Sequence, residues 1–467
     1  MTFVCVAGSS GVGKTTFAKL LHIVLPTDDT LLLCGDDCHK WPRNHPEWNV
    51  YTHFHPFANN IEQNHAQLEQ LLSGKQILRQ HYNHETGLFD LPVSIQPKTN
   101  IIYEGLHSLF HKPTFDLADL KIYVDTDENL KNEWKLKRDV AKRGYSPEQV
   151  QSAIARRKKD EQSFIQPQKK NADVVVKFFR QNSTVEMEYV LLTGRGEELM
   201  QRIKNFYDAH CKFLYLTRRL SLDLLLCQQK GGNVSVKYDD RVIVSASGVH
   251  PSNINMFDGY AVCNRSSLNL TDDESYMKTV AGSRCSEMFK TPSMETGFHF
   301  LFDKPVVLHT HPIYLNAILC SKEAFSILEK LFEAYSHECV KYVSPGRELV
   351  RYLRNKGQLP DIVFLKNHGL IVAHDSYTEA YELTEKINDM CGDWLKSKLD
   401  VFVESRTPIS HSPLFPDAAV FPELLAYTND HLARMISNSG ITPDYLPEEE
   451  IKRIQNMNFE KMRKSLS

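Results

Sequence analysis

The chain has 467 residues, of which 42% are hydrophobic and 24% charged, with a formal net charge of −3 and 10 cysteines. That length implies two or three domains, the balanced charge gives no support for a nucleic-acid or membrane partner, and no apolar run approaches the ~20 residues that span a bilayer. The cysteines lack metal-type spacing and the N-terminus lacks the basic and apolar regions of a signal peptide, so they read as reduced thiols in a cytoplasmic protein.

The first strand-like run, residues 2–7, leads straight into Gly8-Ser9-Ser10-Gly11-Val12-Gly13-Lys14-Thr15 and then Thr16, where helical spacing starts. This is G-x-x-x-x-G-K-[ST] in a strand–loop–helix setting, which turns backbone N–H groups toward the phosphates of ATP. Lys14 is placed for the β- and γ-phosphates and Thr15 for Mg²⁺. A second strand, 30–34, delivers Gly35-Asp36-Asp37-Cys38-His39, a carboxylate pair at a strand end, suited to take a proton from a substrate hydroxyl. A helix over 60–73 follows. The strand 100–103 ends in Glu104, the second acidic feature on the Mg²⁺ side. After a strand at 120–124 and a helix at 127–143, the polar stretch Ser146–Lys170 reads either as a solvated helix and loop or as a lid over ATP. A strand at 173–179 completes a βα alternation, which implies a mostly parallel sheet with helices on both faces.

The alternation breaks around Thr193-Gly194-Arg195-Gly196. The expected domains are therefore 1–197 and 198–467. The second begins with a helix over 198–229, continues with strands Asn233–Tyr238, Arg241–Ser245, Val306–Thr310 and Ile362–Leu365, and has helices at 321–335, 346–355 and 377–398. A charged amphipathic helix is expected over Glu448–Lys464. His309 and His311 stand at i and i+2 on a strand, so their rings share one face. With His368, at the end of another strand, they form three imidazoles with open positions, the donor set of a catalytic rather than a structural metal.

Over about residues 1–195 the sequence resembles phosphoribulokinase and its uridine-kinase-like relatives. The resemblance rests on Gly8–Thr16, Gly35–His39 with Arg43, Thr52–Pro56, Tyr82–Gly87, Glu104–His107, Trp134–Asp139, Arg143–Ser146 and Pro167–Lys169, all in order. It implies transfer of the ATP γ-phosphoryl to the C1 hydroxyl of a ketose 5-phosphate, with Asp36 as base and Asp37 as the fallback. It places His39, Arg43, Lys135, Arg138 and Arg143 around the sugar phosphate and Tyr82, Asn83 and His84 along the sugar. Arginine suits bidentate phosphate recognition.

Over about residues 200–400 the chain resembles the class II aldolase/adducin family. The matching pieces are Gly231–Ser235, Val244–Gly248, Pro292–Thr296, His309–Pro312 and Lys366–Leu370. The resemblance implies a divalent cation, usually Zn²⁺, held by His309, His311 and His368, with Glu295 as ligand or acid/base. Gly232, Asn233, Ser247, Gly248 and Ser293 match the pocket for a substrate phosphate, where small residues let an anion approach backbone N–H groups. Met294 stands where some sugar-phosphate aldolases carry a second serine.

The expected architecture is α/β throughout: a P-loop NTPase-type parallel sheet domain followed by an α/β/α class II aldolase-like domain. The two resemblances share one chemical thread, because the first type of enzyme makes a ketose 1-phosphate and the second cleaves one to dihydroxyacetone phosphate and an aldehyde. Ribulose 5-phosphate is the expected starting sugar. The alternatives are a sugar-phosphate kinase joined to an epimerase or decarboxylase, or to a non-catalytic adducin-like oligomerisation module. The second family commonly forms tetramers, so a homo-oligomer (tetramer or dimer) is expected.

Overall fold

In the computed structural model, which describes residues 2–182, 184–228, 231–266, 276–286, 289–398, 412–420 and 428–457, the chain divides into two units, Met1–Tyr207 and Asp208–Ser467. The first unit is built on strands β1 (Thr2–Gly8), β2 (Thr30–Cys34), β3 (Asn100–Gly105), β4 (Leu120–Thr126), β5 (Val174–Gln181) and β6 (Thr184–Leu191), in the order β2-β3-β1-β4-β5-β6. All neighbours are parallel except β5 and β6. The central strands are apolar on both faces, as a sheet covered on both sides requires: Val4 through Ala7 and Ile101 through Tyr103 are all buried.

Helix α1 (Lys14–Val24) buries Phe17, Ala18, Leu20 and Leu21. Helix α2 (Ile61–Leu72) inserts Leu68 and Leu71 into the cluster formed by Phe3, Cys5, Leu33 and Ile101. The chain passes from β1 to β2 over the intervening β3, which opens a crevice at the strands' C-terminal ends. Register brings the chemistry there: Ala7 lies beside Gly105, and Cys34 beside Glu104. The polar stretch after α3 (Glu128–Arg143) is helical. Helix α4 (Pro147–Asp160) starts with a capping box between Ser146 and Gln149 and continues through a π-turn, Glu161–Ile165, and a 3₁₀ turn, Gln166–Asn171. Buried Gln168 holds its end, donating to the Leu106 and Phe164 carbonyls at 2.8 Å.

Helix α5 (Glu197–Leu222) carries the division between the units. It stops short of the expected 229, because Asp223 begins a turn: its carboxylate accepts from Leu225 N–H at 2.9 Å and its carbonyl from Cys227 N–H at 3.0 Å. Residue 229 lies outside the described residues. The second unit holds β7 (Asn233–Tyr238), β8 (Arg241–Ser245), β9 (Tyr260–Asn264), β10 (Val306–Thr310), β11 (His337–Val340), β12 (Ile362–Leu365) and β13 (Gly369–His374), in the order β9-β8-β7-β10-β13-β12-β11. Only β11 and β12 are parallel.

Alternate residues of β13 serve opposite faces. Leu370 and Val372 pack with α6 (Ile313–Leu319) and α7 (Tyr377–Lys398), while Ile371 and Ala373 join Phe298, Leu349 and Leu353 on the other side. That is an α/β/α sandwich around a mixed, largely antiparallel sheet. The helix expected over 321–335 is shorter, Ala324–Leu331, because Ser321 bridges to Pro443 and Glu323 accepts from Thr442 N–H at 3.0 Å. The last helix runs Glu448–Asn456, and residues 458–464 of the expected tail helix lie outside the described residues.

Candidate active sites

The loop after β1 turns on glycines that a side chain would obstruct. A Cβ on Gly8 would come 2.4 Å from the Val124 carbonyl oxygen, and Gly13, at φ 90°, caps α1 in the left-handed region. Ser9 is buried, and its carbonyl accepts from Lys14 Nζ at 2.8 Å. The Val12 carbonyl accepts from Thr126 Oγ1 at 2.7 Å. Thr15 Oγ1 donates to Glu104 Oε1 at 3.0 Å, and Thr16 lies in the same first turn of α1. Burial lowers the Lys14 pKa against the pull of Glu104 and Asp36, and burial raises that of Glu104 against Lys14. A helix N-terminus with open amides, an ammonium, a hydroxyl and a carboxylate suits a triphosphate with Mg²⁺.

The two neighbouring aspartates have different surroundings. The Asp37 side chain is buried and fully engaged: Arg79 Nε lies 3.2 Å from one oxygen, while His81 Nδ1, at 3.0 Å, and Tyr82 N–H, at 2.9 Å, meet the other. Asp36 is half-buried at the crevice, with His84 Nε2 3.2 Å from Oδ2 and His39 Nε2 3.9 Å from Oδ1. Arg143 Nη2 donates to His84 Nδ1 at 3.1 Å, so a neutral His84 must carry its proton on Nε2 and donate to Asp36. Burial pushes the Asp36 pKa up, but the hydrogen bond from His84 and the field of His39 outweigh it and hold the carboxyl well below its ordinary range. His39 is fixed by Asn59, whose Oδ1 lies 2.8 Å from Nδ1, and by edge contacts with Trp48, His53 and Tyr82.

The cations on α3 converge on Asp139, a residue outside the expected site. Lys135 Nζ lies 2.8 Å from Oδ2, with Arg138 Nε at 2.8 Å and Arg143 Nη1 at 3.4 Å from Oδ1. Ser10 Oγ ties the group to the phosphate loop, 3.5 Å from Lys135 and 3.4 Å from Arg138. Burial and the neighbouring Arg157 push Lys135 down to about 8, against the pull of Asp139. Asn83 lies in the adjoining Tyr82–Gly87 turn, and Arg43, from the segment after the β2 end, packs against it; both serve it. Arg43 donates to the His84 and Glu85 carbonyls, and Asn83 Oδ1 accepts from Glu85 and Thr86 N–H at 2.9 and 3.2 Å.

Two outcomes follow for this unit. Asp37→Ala is expected to destabilise it by about 3–5 kcal/mol, because Arg79 stays buried without its carboxylate; urea unfolding followed by tryptophan fluorescence measures this. His107 is buried, with neither ring nitrogen hydrogen-bonded among the described residues. Burial pushes its pKa down from 6.5 to about 3. The unfolded chain therefore takes up the proton first on acidification. This contribution is whole above pH 6.5 and is lost toward pH 3, at up to ~1.4 kcal/mol per pH unit. Denaturant midpoints at pH 7 and pH 5 test this, with His107→Gln expected to flatten the dependence.

In the second unit, β10 carries His309, His311 follows just past its end on the same face, and the turn between β12 and β13 brings His368 to meet them. A ligand atom from each of the three buried rings lies within 4.8 Å of the others. His309 and His311 oppose their Nε2 atoms at 3.1 Å, and Glu295 reaches His309 Nε2 at 3.4 Å and His368 Nε2 at 3.1 Å. Burial pushes His309 down to about 4 and His311 to about 3, so both are neutral near pH 7, the form that ligates a cation. Burial works to raise the Glu295 pKa, yet the histidines hold it well below its ordinary range. This donor set fits a divalent metal.

Asn233 lines the pocket expected to take a phosphate, and its amide also serves Glu295. Its Nδ2 donates to Glu295 Oε2 at 2.8 Å, and its Oδ1 faces His299 Nε2, whose Nδ1 lies 2.8 Å from Ser235 Oγ. His299, which sequence spacing did not single out, thus orients the amide beneath Glu295. Gly232, Asn233, Ser247, Gly248 and Ser293 line a pocket beside the cluster. Ser247 Oγ is buried with no hydrogen-bond partner among the described residues, a donor suited to an anion. Met294 lines the same pocket with its methyl packed on Gly346.

Residues 3–185 match the phosphoribulokinase/uridine kinase family, and residues 211–395 match the class II aldolase and adducin N-terminal domain. The chain is 37% identical over 190 residues to a phosphoribulokinase of Synechocystis sp., covering 41% of this chain and 57% of that protein. It is 33% identical over 176 residues to a uridine kinase of Brevibacillus brevis, covering 37% of this chain and 82% of that one. The chain spans about half the length of the curated phosphoribulokinases it matches. A solved class II aldolase domain from Thermoplasma acidophilum is similar at 22% identity and a TM-score of 0.36, covering 39% of this chain and 92% of that one.

Proposed function

Since the chain belongs to the phosphoribulokinase/uridine kinase family over residues 3–185 and its residues 211–395 match the class II aldolase and adducin N-terminal domain, we propose that it is a bifunctional enzyme acting on sugar phosphates. The first unit phosphorylates a ketose 5-phosphate, such as ribulose 5-phosphate, at C1 with ATP and Mg²⁺. The second cleaves a ketose 1-phosphate to dihydroxyacetone phosphate and an aldehyde. The observation that carries this reading is the coexistence in one chain of a complete phosphate-loop constellation and a buried three-imidazole cluster facing a carboxylate.

In the first reaction Asp36 takes the proton of the attacking hydroxyl, oriented by His84 and backed by Arg143. Lys14 and the loop amides receive the phosphates of ATP, and Thr15 and Glu104 hold Mg²⁺. Lys135, Arg138 and Arg143 are charges kept in place by Asp139 for the sugar phosphate and the group in transfer. In the second reaction His309, His311 and His368 hold a divalent cation, zinc or another, which supplies Lewis acidity at the substrate carbonyl. Gly232, Asn233, Ser247, Gly248 and Ser293 receive the phosphate. Glu295, anchored by Asn233, exchanges a proton with C3 of the three-carbon half once the C3–C4 bond breaks.

The test supplies ATP, Mg²⁺, Zn²⁺ and ribulose 5-phosphate and follows ADP and dihydroxyacetone phosphate together. Both are expected, with glycolaldehyde phosphate as the second fragment. ADP without a three-carbon product, at excess enzyme, sinks the coupled reading. An NMR product that keeps all its carbons but differs in configuration from the phosphorylated ketose assigns epimerisation instead.

A further inference from the structure

Two of the three clustered imidazoles have an acceptor behind them. His309 presents Nε2 to the cluster, and its Nδ1 lies 3.0 Å from the Leu370 carbonyl. His311 also presents Nε2, and the group behind its Nδ1 is Asp417 Oδ2, at 3.6 Å. Asp417 opens the short helix Pro416–Val420, is buried, and lines the same pocket. It lies beyond residue 395, where the family match ends.

A third element leaves room for this arrangement. Gly231, just before β7, has no side chain to interfere: a Cβ there would stand 2.7 Å from His311 Nδ1 and 3.3 Å from Asp417 Oδ2. A carboxylate behind a metal-binding imidazole fixes its tautomer and its ring angle and increases its basicity. The Leu370 carbonyl, a main-chain group, offers His309 only a neutral acceptor. Asp417 offers His311 a charged one, on a segment separate in sequence from the sheet.

We propose that Asp417 is a positioning residue of the metal centre, holding His311 with its proton on Nδ1 and its Nε2 lone pair toward the shared cation. The proposal rests on the reading of the three histidines as metal ligands. It makes the segment around residue 417 a working part of the second unit, although that segment lies beyond the residues that match the family.

The full chain, freed of metal, is titrated with Co²⁺ as wild type, Asp417→Asn and Asp417→Ala, with each variant's thermal transition recorded. The expected result is a Kd raised about tenfold in the asparagine variant and about a hundredfold in the alanine variant, with shifted cobalt absorption bands and ATP-dependent phosphorylation unchanged. Histidine ¹⁵N shifts in the metal-free protein are expected to place the His311 proton on Nδ1 in the wild type and to lose that preference in Asp417→Ala. Unchanged cobalt affinity and spectra in both variants overturn the proposal. Should the alanine variant not melt cooperatively, the near-isosteric asparagine variant decides alone. A wild type that binds cobalt but cleaves no ketose phosphate removes the lyase reading and leaves the role of Asp417 standing. A wild type that binds no cobalt overturns both.

Discussion

Asp36→Asn is expected to lower the turnover of phosphoryl transfer by about 10²–10⁴-fold while leaving ATP binding intact. The asparagine oxygen can still accept from His84, so the crevice keeps its shape and only the proton acceptor is lost. A coupled ADP assay at saturating sugar phosphate reads the effect, and nucleotide titration checks the binding. The low pKa of Asp36 sets the pH response. The base is ionised throughout the neutral range, and the wild-type rate falls on the acid side only as pH drops toward that lowered value. Full activity in Asp36→Asn, with loss in a folded Asp37→Asn, would move the base to the neighbouring residue.

His311→Ala or His309→Ala is expected to abolish stoichiometric binding of a divalent cation. Cleavage should fall by about 10³-fold or more, the equivalent of about 4 kcal/mol of lost charge stabilisation. ATP-dependent phosphorylation should be unchanged. Metal analysis after dialysis and a dihydroxyacetone phosphate assay measure the two effects. Chelation should reproduce the loss in the wild type, and added Zn²⁺ should restore the wild type but neither variant. Cleavage that survives both the substitution and the chelator would end the metal-dependent reading.

Much of this was legible in the sequence because the chemistry sits at places with strict local rules. The phosphate loop needs a glycine at position 8, where a Cβ would strike the Val124 carbonyl, and the i, i+2 spacing of His309 and His311 is a period-two fact. The five parallel strands of the first unit were equally plain, since buried parallel strands are uninterrupted apolar runs, but the antiparallel edge strand β6, where exposed and polar residues interrupt the apolar run, escaped notice. The supporting residues were less visible. Asp139 stands four residues from both Lys135 and Arg143, a helical spacing that could have marked it as their common partner. The difference between Asp36 and Asp37 depends on Arg79 and His81, more than 40 residues away, and no local pattern carries it. His299 and Asp417 are likewise tertiary findings. The strands β9, β11 and β13 also escaped notice, because their short apolar runs lie among helices of similar composition.

The end of β2 carries a last consequence. The Cys34 thiol stands beside Glu104, and burial, together with Glu104, Asp36 and Asp37, raises its pKa well above the ordinary thiol range. Few such thiols are thiolates at neutral pH, so alkylation by iodoacetamide should be slow. A Mg²⁺ ion bound at Glu104, as proposed, would cancel part of that negative field. Labelling of Cys34, followed by peptide mass spectrometry, should therefore quicken with the ion alone and slow again when a nucleotide covers the crevice, turning one native side chain into a gauge of loading order.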